Sequence, residues 1–147
     1  MNAIEEKEQV MGRFSIEVEL ANNVDLDRAG AGDIPPERVR RIRVRGVVDT
    51  GATRLIISEA MAIQLGLATS GITKVRYADG RTAERPIAKG IHLTYGGRDG
   101  LFSAIVEPGR DSALIGAIVL EELDFLVDCV TQRLTPRDPN QIISEAE

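Results

Sequence analysis

Phe14-Ser15-Ile16-Glu17-Val18-Glu19-Leu20 alternates apolar and polar residues without a fault. Phe14, Ile16, Val18 and Leu20 share one face and Ser15, Glu17 and Glu19 the other, which predicts a half-buried strand. Over residues 22–37 the alternation stops. Asn, Asp, Gly and Pro dominate there, and the segment reads as a loop. Alternation returns before residue 48: Ile42, Val44, Gly46 and Val48 point one way, Arg41, Arg43 and Arg45 the other. The expectation is a strand whose arginine face is solvated and offset by nearby glutamates. Exposed arginines also discourage edge pairing.

A short helix is predicted after residue 57. Ser58 suits the N-cap, Glu59 the first turn, Met61 and Leu65 lie four apart, and Gly66 suits the terminus. Ile72–Tyr77 and Thr82–Ile87 flank Ala78-Asp79-Gly80-Arg81, and Asp-Gly between extended segments signals a hairpin. A further strand is read at Ile91, Leu93 and Tyr95, a turn at 96–100, and a strand over Leu101–Val106 stopped by Pro108-Gly109. Ala113-Leu114-Ile115-Gly116 leads into a short helix over Ala117–Leu123, with Val119 and Leu123 on one side. Phe125–Val130 reads as a strand, and Thr131–Thr135 as a return beside it. Many short strands with two short helices predict a mainly β, closed or partly closed barrel.

One domain is expected for 147 residues. The organisation read is a flexible N-terminal segment over 1–12, a single domain over 13–136, and a polar C-terminal tail over 137–147. Eighteen basic residues stand against 23 acidic ones, a net charge of −5, which counts against a nucleic-acid binder. Three Phe, two Tyr and no Trp leave little to stack on bases. One Cys and one His cannot build a Cys/His metal site, so no metal and no cofactor is expected. Cys129 reads as a buried strand cysteine and His92 as an ordinary strand residue. Asp25, Asp27 and Gly30 match part of a calcium loop, but Pro36 falls where the bidentate Glu must stand. Gly30-Ala31-Gly32 lacks the third glycine of a dinucleotide fingerprint. No apolar run is long enough to span a membrane, and the acidic start has no apolar signal core, so a cytoplasmic location is expected.

The informative string is Val47-Val48-Asp49-Thr50-Gly51-Ala52-Thr53. Two β-branched residues place Asp49 at the end of a buried strand. The Asp-Gly hairpin follows 30 residues later, and Leu114-Ile115-Gly116 about 65 residues on, before the last helix. In combination these resemble the retropepsin-like aspartic proteases, the group of retroviral proteases and their single-lobe relatives, over roughly residues 13–136. The resemblance implies a closed acid-protease barrel with one lobe per chain.

It also implies roles. Asp49 would be the catalytic carboxylate. Thr50 would hydrogen-bond across a dimer axis, Gly51 would bring its backbone N–H to the carboxylate, and Ala52 and Thr53 would line the site. Leu114, Ile115 and Gly116 would support the loop from beneath. Tyr77, Ala78, Asp79, Gly80 and Arg81 would form a flap over an extended peptide. Peptide hydrolysis by this route needs two carboxylates around one water, one ionised and one protonated. The chain holds a single Asp-Thr-Gly, so the second carboxylate must come from a second copy. The expectation is an aspartic endopeptidase working as a homodimer. The alternative is a weakly active or inactive peptide-binding dimer on the same fold, motivated by the charged Arg54 beside the motif and by the polar flap tip.

Overall fold

A computed structural model describes residues 13–143 and residue 146 of the chain. The N-terminal segment expected over 1–12 lies outside the described residues. Nine strands and three short α-helices follow one another among those described: β1 (Arg13–Asn22), α1 (Asn23–Gly30), β2 (Arg41–Asp49), β3 (Leu55–Ser58), α2 (Glu59–Leu65), β4 (Thr69–Arg76), β5 (Thr82–Tyr95), β6 (Arg98–Glu107), β7 (Ala113–Ile115), α3 (Ala117–Leu123), β8 (Phe125–Asp128) and β9 (Arg133–Pro136). A 3-10 turn, Pro36–Arg38, precedes β2.

Six strands close on themselves in the order β1-β2-β7-β3-β6-β5, with β1 pairing back onto β5. Closure removes the open edges that an isolated sheet would expose. β4 stands outside the ring as a seventh strand paired only to β5, and β8 and β9 form a separate two-stranded ribbon. The alternating strands meet inside: Leu20, Leu55, Ile57, Ile91, Leu93 and Ile115 are essentially inaccessible, and Leu65 of α2 closes one end. The mainly β barrel read from the sequence is therefore the fold observed.

Four local readings change. The loop expected over 22–37 contains α1 and the 3-10 turn. Asn22 caps α1 by accepting from the Asp25 N–H at 3.1 Å, and its own amide donates to the Leu65 carbonyl at 2.8 Å. Buried Asp25 then receives Nε, Nη2 and the backbone N–H of Arg40, all within 3.0 Å. Turn-forming residues here serve as caps and anchors, which composition cannot separate from loop use. The strand segments read at Thr82–Ile87 and Ile91–Tyr95 are one 14-residue strand, its register to β6 shifting near Gly90, where φ is +75°. The turn read over 96–100 shrinks to Gly96-Gly97, and β6 begins at Arg98.

The fourth change concerns the strand read over Phe125–Val130, which ends at Asp128. The Asp128 carboxylate accepts from the N–H groups of Val130 and Thr131, turning the chain. Cys129 consequently sits exposed in that turn, not buried in a strand. Elsewhere the pattern reads true. Ser58 Oγ accepts from Met61 N–H at 3.0 Å, and Gly66 ends α2 with φ +62° against the Arg40 guanidinium. Arg41 and Arg43 face Glu19 and Glu17 across the β1–β2 ladder at 3.4 and 3.3 Å.

Candidate active site

β2 ends at Asp49, where the chain leaves the barrel wall. Val48 before it is fully buried, and Gly46–Val48 run parallel to Ala113–Ile115 of β7. The turn that follows is tight: Ala52 N–H donates to the Asp49 carbonyl at 3.1 Å, and Gly51 N–H donates to Asp49 Oδ1 at 2.9 Å. A Cβ on Gly51 would stand 3.2 Å from that same oxygen, so glycine gives the carboxylate room. Asp49 Oδ2 faces Arg13 Nη2 at 3.0 Å, and the carboxylate is 15% exposed.

The loop over residues 49–53 is held from beneath by the start of α3. Ala117 N–H donates to the Ala52 carbonyl at 2.8 Å and Ile118 N–H to the Thr53 carbonyl at 2.9 Å. Gly116 lies flat against this loop: a Cβ there would meet the Arg54 carbonyl oxygen, with Thr53 C at 2.7 Å and Ala52 O at 2.8 Å. The three residues read as supports divide their work. Ile115 is core, Gly116 backs the loop, and Leu114 pairs across to Ile56 and faces the groove beside Asp49. Thr50, Thr53 and Arg54 of this loop are exposed.

The β4–β5 hairpin forms the opposite wall. Its turn is closed by Tyr77 N–H to the Arg81 carbonyl at 2.8 Å and Gly80 N–H to the Tyr77 carbonyl at 2.9 Å, with Gly80 at φ +88°. Asp79 is tied to Arg81, whose backbone N–H and side chain hold its carboxyl below the usual carboxylate range. Between hairpin and loop lies a groove of about 510 Å³. Asp49, Gly51 and Ala52 lie on its floor, with Val75, Arg76, Tyr77 and Ala78 facing them; Asp79, Gly80 and Arg81 are at the exposed tip, outside the lining.

Other lining residues escaped the sequence reading. Arg13 stands opposite Asp49 in the β1–β2 register, and Glu107 and Arg110 contribute from the end of β6 and the loop after it. Glu107 carried a faint signal, an acid that continues an apolar strand just before Pro108-Gly109. Arg13 carried none, because its partner is set by a register across an 18-residue connection from β1 to β2 (residues 23–40). Among the described residues, no cluster of three or more His, Cys, Asp or Glu side chains is placed to hold a metal ion.

The model of the gag-polyprotein putative aspartyl protease family matches residues 38–122, more than half of the chain. The chain belongs to this retroviral-type aspartyl protease family. The matched segment carries Asp49, the hairpin, Leu114-Ile115-Gly116 and most of α3, and leaves out β1 with Arg13. Among solved structures, the chain is similar to the EIAV protease complexed with the inhibitor HBY-793. Identity is 16% and the TM-score 0.51, over 76% of this chain and 88% of that one. At that identity the likeness speaks for the fold, a retropepsin barrel. No curated protein matches the chain at a significant level. Among the described residues of this aspartyl-protease family member, no helix is long and apolar enough to cross a membrane.

Proposed function

We propose that this member of the aspartyl protease family is an aspartic endopeptidase that acts as a homodimer, with residues 13–136 as the catalytic unit. Two Asp49 carboxylates, one from each subunit, share a proton and one water. The ionised one takes the water's proton as the oxygen attacks the scissile carbonyl, and the protonated one donates to the carbonyl oxygen. The tetrahedral intermediate then collapses with a proton passed to the leaving amine. Gly51 N–H and the α3 start hold each carboxylate in place, Thr50 bonds across the two-fold axis, and the hairpin closes over an extended peptide.

One observation carries this reading: Asp49, in a loop held through its backbone at Ala52 and Thr53, lies on the floor of a groove walled by the β4–β5 hairpin. Within the polar tail, Gln141-Ile142-Ile143 is the apolar piece that would join the dimer interface, and Gln141 Oε1 accepts from Arg98 Nη2 at 3.4 Å. The Arg13–Asp49 ion pair supports a second reading, a groove that binds extended peptides with little cleavage.

The deciding experiment is cleavage of a peptide library by wild type and Asp49→Asn across pH 4 to 7.5 and several protein concentrations. Expected is cleavage whose specific activity rises with protein concentration, reduced about 10²–10⁴-fold in the variant. Cleavage unaltered by Asp49→Asn defeats the proposal. A folded, dimeric wild type that binds peptides without cutting them favours the second reading.

A further inference from the structure

The β4–β5 hairpin has little ladder to hold it. Among the described residues β4 pairs with β5 alone, and the β5 ladder to β6 begins only at Ile87. The stretch from Ile72 to Pro86 is therefore a two-stranded ribbon, and such a ribbon is marginally stable by itself. Yet its end lies over the groove, with Val75, Tyr77 and Ala78 lining it. Something other than the backbone ladder must keep it there.

A compact polar cluster is placed to do so. Glu107 ends β6 and is only 8% exposed. Burying a carboxylate in this way is tolerable only where it is paired and hydrogen-bonded. Tyr77 Oη donates to Glu107 Oε1 at 2.6 Å. Arg85 Nε, from the hairpin's second strand, reaches Glu107 Oε2 at 3.1 Å and the Tyr77 hydroxyl at 3.1 Å. The Arg85 guanidinium also lies over the Tyr77 ring, 6.0 Å from its centre. The hairpin is thus fastened at its turn, through Tyr77, and at its second strand, through Arg85, to one buried carboxylate on the barrel wall. The Glu107 hydrogen bond, followed by burial, holds the tyrosine proton in place above the usual phenol range, which keeps the hydroxyl a donor.

We propose that Glu107 is a positioning residue for the flap: with Arg85 it clasps the Tyr77 hydroxyl and holds the hairpin closed over the Asp49 groove before any peptide arrives. Peptide entry then requires this clasp to open. The kinetic consequence rests on the protease reading above; the conformational one does not.

The test is backbone amide hydrogen exchange, under native conditions, in wild type, Tyr77→Phe, Glu107→Gln and the double variant. The amides of residues 72–86 report the flap, and those of the β1–β2 ladder report global stability. Each single variant is expected to exchange about tenfold faster in the flap, the scale of one charge-assisted hydrogen bond, with the β1–β2 ladder unmoved. The double variant is expected to exchange no faster than the faster single one, because both changes open the same clasp.

Tyr77→Phe keeps the ring and its packing, so it decides the matter even where Glu107→Gln folds poorly. Flap exchange unchanged in Tyr77→Phe, or strictly additive in the double variant, overturns the clasp. In peptide cleavage, Tyr77→Phe is expected to lower KM severalfold, because peptide no longer has to break the clasp to enter, with kcat within about twofold of wild type. A fall in kcat at unchanged KM would instead place the hydroxyl in the chemistry and defeat the positioning role. Should wild type cut no peptide, the protease reading fails while the exchange comparison still decides the clasp.

Discussion

Arg13 and Asp49 face each other as the first and last residues of a nine-rung antiparallel ladder, their side chains 3.0 Å apart. The pair puts a cation from outside the matched family segment onto Oδ2 of the candidate catalytic carboxylate. Arg13 is 45% exposed, so the pair adds little to stability; Arg13→Ala is expected to change unfolding free energy by less than about 1 kcal/mol. Arg13→Glu sets a second negative charge against Asp49 and helps the carboxylate pair keep its shared proton. The upper pH limit of peptide cleavage is expected to rise toward neutrality, with the melting temperature nearly unmoved. Equal activity in Arg13→Glu and wild type would show that this side chain swings away from Asp49 in the active form.

Gly116 allows no side chain. Its missing Cβ would press on the backbone of Ala52, Thr53 and Arg54, and backbone cannot step aside as a flexible side chain can. Gly116→Ala is expected to cost about 1–3 kcal/mol and to shift the loop that carries Asp49. Cleavage should fall by more than about a hundredfold, since an ångström of misplacement is enough for that. Denaturant melts and peptide assays on the same preparation check both; a fully active Gly116→Ala would refute the loop's dependence on α3.

The Asp25–Arg40 link makes stability depend on acid. Side-chain and backbone hydrogen bonds from Arg40 lower the Asp25 carboxyl from its ordinary 3.8 to about 2. A depressed carboxyl contributes its stability in full above the unfolded value, and that contribution is lost as pH falls from about 4 through 2. With one partner half exposed, the effect is on the order of 1 kcal/mol. Wild type is expected to melt higher than Asp25→Asn at pH 6, with the gap narrowing toward pH 2. A gap independent of pH would assign the loss to packing.

Cys129 is expected to react stoichiometrically with a thiol reagent in the folded protein, because the Asp128 turn exposes it. Cys129→Ser should melt within about 2 °C of wild type, as surface changes usually do. Protection of the thiol until unfolding would show that a second copy covers this turn.

What the chain determined by itself was local. Asp49-Thr50-Gly51, the Asp79-Gly80 turn, the Ser58 cap and the Leu114-Ile115-Gly116 segment are legible because turn and cap chemistry acts over a few residues, and the alternation in β1 and β2 shows which faces are buried. Closure and register were decided only in three dimensions. Arg13 meets Asp49, and Glu107 meets Tyr77 and Arg85, through pairings of residues 22 to 36 positions apart, where no local preference points to the partner. The same limit explains α1: Asn22 and Asp25 read as loop residues until Leu65 and Arg40 arrive to take their hydrogen bonds. Polar side chains have many equivalent local partners and few long-range ones, so their role is set by the fold that brings those partners within 3 Å.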